Sequence, residues 1–140
     1  MEVGMLMTRD VLRIHPDTPI LEAARLMHVN DIGVLPVAQG NRLVGMITDR
    51  DIVTRVLGNG LRASTARAHD AMTRRVFYLF DDEDAEAAAR KMRDLQVRRM
   101  PIVDRNKRLV GIVSIGDLAC RICHDVAGNA LEGISETLGG

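Results

Sequence analysis

The chain has 140 residues and a mass of 15.4 kDa, a length that suits one domain or two small units sharing a core. A hydrophobic fraction of 46% argues against disorder. Charges cancel in each half, seven basic against seven acidic residues over 1–65 and twelve against twelve over 66–140, so no net field points to nucleic acid or an anionic membrane.

From the start of the chain, Met1 to Asp10 has neither a basic n-region nor a long apolar stretch, and no later apolar run approaches the roughly 18 residues of a membrane span. The expectation is a cytoplasmic protein with no membrane partner and no nucleic-acid partner. Met7-Thr8-Arg9-Asp10-Val11 then returns as Met72-Thr73-Arg74-Arg75-Val76, an offset of 65. The same offset joins Ala23-Ala24-Arg25 to Ala88-Ala89-Arg90, Met27 to Met92 and Pro36 to Pro101. After one inserted residue the offset is 66: Arg42-Leu43-Val44-Gly45 meets Arg108-Leu109-Val110-Gly111, Thr48 meets Ser114, and Asp51 meets Asp117. The chain therefore reads as two copies of one unit. The expected boundaries are repeat one over 7–57, a Gly-, Ser- and Ala-containing linker over 58–71, repeat two over 72–124 and a tail over 125–140.

Each copy opens with a short extended piece, Val11 to Ile14 or Val76 to Leu79. A helix follows. In the first copy Asp17 or Thr18 serves as the expected N-cap, with Pro19 in the first turn. Its apolar positions Ile20, Ala23, Ala24 and Met27 fall on one face. In the second copy the acidic run Asp81 to Asp84 precedes Ala85, Ala88, Ala89 and Met92; acids at a helix start are favoured by the macrodipole, so the run reads as a start signal. Two short strands come next, Gly33 to Ala38 then Leu43 to Ile47, and Arg99 to Val103 then Leu109 to Val113. The turns Gln39-Gly40-Asn41 and Asp104-Arg105-Asn106-Lys107 separate them. A second helix closes each unit, Asp49 to Leu57 and Ile115 to about Val126. The order is β-α-β-β-α, twice.

A unit of this size with a Pro-containing strand, a Gly-apolar-apolar-Thr/Ser-x-x-Asp turn and tandem duplication resembles a CBS domain pair, or Bateman module. The turns are Gly45-Met46-Ile47-Thr48-Asp49-Arg50-Asp51 and Gly111-Ile112-Val113-Ser114-Ile115-Gly116-Asp117, and the resemblance runs from about Met7 to Cys123. It implies an α+β fold in which the tandem repeats pack with pseudo-two-fold symmetry. It also implies a regulatory protein, not an enzyme: a module that binds an adenosyl nucleotide (AMP, ADP, ATP, NAD or S-adenosylmethionine) between the repeats. No cofactor is required; AMP or ATP leads as the ligand. A homodimer and an unidentified regulated protein are the implied partners. The alternative is an interaction or scaffold module whose clefts are filled by its own side chains.

By the resemblance, Asp51 and Asp117 accept hydrogen bonds from a ribose diol, and Thr48 and Ser114 donate to a phosphate or the ribose. Both pairs stand at a strand-to-helix junction, where free backbone N–H groups suit an anion. The same residues would also serve as helix caps and first-turn acids. Segments entering the Pro strands, Ile32-Gly33-Val34 and Val97-Arg98-Arg99, are expected to wall the adenine, and Arg98 or Arg99 to reach a phosphate with bidentate contacts. The better-supplied cleft is expected to combine Ser114, Asp117, Arg98, Arg99 and Ile32-Gly33-Val34, while the other has Thr48 and Asp51 with Arg50 and Arg74 nearby.

Cys120-Arg121-Ile122-Cys123-His124 matches the haem-attachment pattern literally. It falls mid-helix in the second repeat, however, and helix-starting redox pairs and four-ligand zinc sites have other contexts. The cysteines are read as buried packing residues, and no metal site is expected. The residues Ala130 to Leu138 are compatible with a short amphipathic helix. No nucleophile-base arrangement or P-loop is visible.

Overall fold

The structure, a computed structural model, describes residues 1–122. Its elements are α1 (Ile20–Asn30), β1 (Val34–Gln39), β2 (Arg42–Thr48), α2 (Asp49–Asp51, continued with π-helical geometry over Ile52–Leu57), α3 (Ala68–Ala71), β3 (Leu79–Phe80), α4 (Ala85–Leu95), β4 (Arg99–Val103), β5 (Leu109–Ser114) and α5 over 115–122. A 3-10 turn, Val3–Met5, precedes them. No helix among the described residues is long and apolar enough to cross a membrane.

The chain forms two compact units. One comprises Asp10–Phe77 with Asn106–Leu109. Here β1 and β2 form an antiparallel hairpin that pairs Val34 with Thr48 and Pro36 with Met46, with a register shift at Val37/Ala38. Gly40 supplies the positive φ of 64° that the turn needs. Ile14 bridges to Val37 in parallel fashion, which makes the Val11 to Ile14 piece the third strand-like element. The core gathers Ile14, Ile20, Ala23, Met27, Leu35, Val37, Ile47 and Val56, so the helical and strand periodicities converge on one interior.

The linker expected over 58–71 contributes to that interior. Ala66, Ala68 and Ala71, with Met72 just after the linker, are buried in the same core. Backbone bonds from Ile20 to Ala66 and from Ala68 to Thr18 fasten it. They also correct the N-cap of α1, which is Pro19 without a side-chain cap. The Thr18 hydroxyl is taken by the His15 amide at 3.0 Å, and the first free helix amide, Ile20, is satisfied by the Ala66 carbonyl.

Among the described residues, the other unit comprises Met1–Arg9, Tyr78–Arg105 and 110–122. Its sheet has the order β3-β4-β5, with β3 parallel to β4. Its core holds Val3, Leu79, Ala85, Ala88, Met92, Met100, Ile102, Val113 and Leu118. The acidic run acts as expected: Asp84 caps α4 by accepting from the Glu86 and Ala87 amides. Asp82 takes a two-pronged ion pair from Arg105, at 2.9 and 2.6 Å, and the same guanidinium stacks on Phe80 at 4.1 Å.

Both long helices end alike. Asp31 (φ 51°) and Gln96 (φ 56°) take the left-handed conformation. The next amides, Ile32 and Val97, reach back to the Met27 and Met92 carbonyls. This is the Schellman closure, in which the residue after the left-handed one packs an apolar side chain on the helix. Ile32 and Val97 accordingly lie against the two cores.

Candidate functional site

In the unit that holds the second repeat, β5 ends at Ser114 and α5 begins at the next residue. The Asp117 amide donates to Ser114 Oγ at 3.0 Å, so the hydroxyl caps the helix and the carboxylate stands in its first turn. Arg99 opens β4 and is exposed. These three side chains meet around a cavity of about 210 Å³, which Thr8, Ile112 and Val113 complete. The arrangement offers a carboxylate acceptor, two hydroxyls, a permanent cation and an apolar floor. Pockets that enclose a whole drug-sized ligand run about 300–1,000 Å³, so this cavity is smaller than those.

Thr8 was not among the residues expected here. It is held by a two-way backbone pairing with Ile112, at 2.8 and 3.0 Å. The approach is close because residue 111 is glycine: a Cβ there would collide with Met7 Sδ. The signal was present in the sequence, since Met7-Thr8 recurs as Met72-Thr73, and Thr73 is paired with Met46 in the same way.

Arg98 does not line the cavity. Its carbonyl accepts from the Ile115 amide at 2.7 Å, which fixes the entry to β4 against the start of α5. Arg98 lies in the bend before β4, and only Arg99 of the pair lines the cavity. Val97 is used in packing.

In the other unit, Thr48 and Asp51 form a reciprocal capping box. The Asp51 amide donates to Thr48 Oγ1 and the Thr48 amide to Asp51 Oδ2, both at 3.0 Å. Arg55 Nε stands 3.9 Å from the second carboxylate oxygen, and the Asp51 side chain is 16% exposed. Val34 lies opposite Thr48, and the Gly33 carbonyl accepts from the Asp49 amide at 3.0 Å. A Cβ on Gly33 would come within 3.0 Å of Asp49 Oδ2, so the glycine makes room for that carboxylate. Ile32, Gly33 and Val34 belong to the same compact unit as Thr48 and Asp51. Arg50 and Arg74 are exposed in the same unit.

Cys120 is exposed, which corrects its reading as a buried packing residue; it lies on the outer side of α5, whose inward residue is Leu118. Cys123, His124 and the expected helix over Ala130 to Leu138 lie outside the described residues. Among the described residues no group of three or more His, Cys, Asp or Glu side chains could hold a metal ion.

Comparison with known sequences decides the family: the CBS domain model matches residues 3–58 and again 68–123. The chain belongs to the CBS domain family. Its fold is the α+β fold of a CBS pair. It is 39% identical over 130 residues to the CBS domain-containing protein YhcV of Bacillus subtilis, covering 92% of this chain and 91% of that one. Hypoxic Response Protein I with two coordinated zinc ions superposes with a TM-score of 0.78 at 34% identity, over 86% of this chain and 98% of that one. CBSX2 in complex with AMP superposes with a TM-score of 0.78 at 27% identity, over 89% and 98%.

Proposed function

We propose that this CBS pair is a cytoplasmic regulatory module that binds an adenosyl nucleotide, AMP first, at Ser114, Asp117, Arg99 and Thr8. The observation that carries the reading is the single cavity on which Arg99, Ser114 and Asp117 converge. The AMP complex of CBSX2 supports the ligand class. Asp117 accepts from the ribose 2′- and 3′-hydroxyls. Ser114 Oγ accepts from the Asp117 amide and keeps its own hydrogen to donate to the phosphate. Arg99 supplies the matching charge, with a planar fork suited to phosphate oxygens. Binding favours whichever conformation holds these groups together, and the difference in affinity between conformations is the signal passed to a regulated protein.

We read the assembly as a homodimer. Leu21 and Val29 on α1, and Val53 and Leu57 on the α2 continuation, are each more than half exposed on helices of one unit. These exposed apolar side chains support that reading.

A second reading, a scaffold whose half-sites are filled from within, is favoured at one place. Thr48 and Asp51 satisfy one another, as a purely structural cap does. A thermal-shift screen against AMP, ADP, ATP, NAD, S-adenosylmethionine and GTP separates the two. At about 100 times its Kd a ligand adds about 2.7 kcal/mol and raises Tm by several degrees. A shift with an adenosyl ligand and none with GTP supports the sensor. No shift with any ligand, from protein shown by mass spectrometry to be nucleotide-free, supports the scaffold.

A further inference from the structure

Arg55 stands one helical turn after Asp51 and makes two contacts of different kinds. Its Nη1 donates to the carbonyls of Ala71 and Met72, both at 3.1 Å. Its Nε faces Asp51 Oδ1 at 3.9 Å. The other Asp51 oxygen is committed to the Thr48 amide. The next residue after Met72 is Thr73, which exchanges backbone bonds with Met46 at 2.8 and 3.0 Å. Beside Met46, Gly45 leaves no spare room: a Cβ there would stand 3.0 Å from both Met72 Sδ and the Thr73 carbonyl oxygen.

We infer that Arg55 is a positioning residue that links the Asp51 carboxylate to the backbone of Ala71, Met72 and Thr73, the segment leading into the second repeat. The guanidinium is shared. Nη1 alone bridges the two carbonyls, while Nε faces the carboxylate at i−4. A ribose diol donating to Asp51 takes the same oxygens that face Thr48 and Arg55, so occupancy of this half-site competes with the hold on residues 71–73. The ligand part rests on the nucleotide reading of Asp51; the link between Asp51 and Arg55 does not.

The test is amide hydrogen exchange of the full chain, read at Met46 and Thr73. Arg55→Ala should speed exchange there roughly tenfold, the scale of losing hydrogen bonds from a charged donor. Arg55→Lys, which keeps the charge but loses the fork, should fall between and covers the case in which the alanine variant does not fold. Asp51→Asn should speed exchange about twofold, as for one i,i+4 ion pair. Because Asp51 acts through Arg55, Asp51→Asn should add nothing in the Arg55→Ala background. AMP should speed exchange at both amides in the unaltered protein and leave Arg55→Ala unchanged, a response that a merely structural arginine would not govern. Unchanged exchange in both Arg55 variants, or a full Asp51→Asn effect on top of Arg55→Ala, would overturn the inference. If AMP binds and these amides do not respond, the ligand part is overturned. If AMP does not bind at all, the nucleotide reading fails, and the variant cycle still decides the role of Arg55.

Discussion

Thr8 and Ile112 donate to each other's carbonyls, 104 positions apart in the sequence, and this pairing carries a residue from the start of the chain to the cavity of the second repeat. The equivalent pair, Thr73 and Met46, does the same with a residue from the start of the second copy. Each compact unit is thus completed by the segment that precedes the other copy in sequence. Each pairing also passes a glycine, Gly111 or Gly45, whose missing side chain sets the approach.

The glycine gives the first prediction. Gly111→Ala places a methyl group on Met7 and should cost about 1–3 kcal/mol by overpacking, read as a lower urea midpoint with an unchanged slope. By shifting Thr8 it should weaken nucleotide binding as well. A variant with normal stability and normal binding would show that the approach of Met7 is not fixed by residue 111.

The acidic run before α4 makes stability depend on pH. Arg105 beside Asp82 holds that carboxyl below its ordinary value of 3.8, and the Ala87 amide, then the N-terminal ammonium, do the same for Asp84. A carboxyl depressed in the folded state stabilises above its unfolded pKa, and that contribution disappears as pH falls through the folded value. The protein should therefore lose stability on acidification below about pH 4. Arg105→Ala should flatten the part due to Asp82 and lower stability at neutral pH by the same amount, a small one because the pair is exposed. Thermal melts of both proteins across that range check the sign; an Arg105→Ala protein with an undiminished acid slope would contradict it.

Left-handed closure at Gln96 gives a backbone prediction. A non-glycine residue there carries a steric cost of about 1–2 kcal/mol, partly offset by glycine's greater loss of chain entropy. Gln96→Gly should be neutral to slightly stabilising. Gln96→Val, with a branched Cβ, should destabilise by at least about 1 kcal/mol. Chemical denaturation of the pair is the measurement, and equal stabilities would argue against the Schellman closure of α4.

Much of this architecture was legible in the residues. The duplication fixed the element order, and the 3,4 spacing of Ile20, Ala23 and Met27, and of Ala85, Ala88 and Met92, named buried faces correctly. Ser114, Asp117 and Arg99 are among the residues the family resemblance implied, and the three line one cavity. What failed depended on partners distant in sequence. Thr18 was lost as a cap because Ala66 supplies the bond from 46 residues away. Thr8 was overlooked because strand pairing across most of the chain carries no local pattern. The choice between Arg98 and Arg99 needed the point at which β4 begins, and Cys120 needed the rotation of α5.

Arg99 and Asp117 divide the proposed work at the site, which predicts distinct losses. Arg99→Ala should weaken ATP more than adenosine and reduce the salt dependence of binding, since it removes a contact to charge. Asp117→Ala should weaken both alike, because the ribose is common to them. Equal losses for ATP and adenosine in the Arg99 variant would remove its phosphate role.

The most direct measurement is a calorimetric titration of AMP into the nucleotide-free protein and into Asp117→Ala. Loss of hydrogen bonds to a charged acceptor amounts to about 1.5–3 kcal/mol, so the account predicts binding by the unaltered protein and roughly 10- to 100-fold weaker binding by the variant. Equal affinity in the two proteins would contradict the assignment of the site to Ser114 and Asp117.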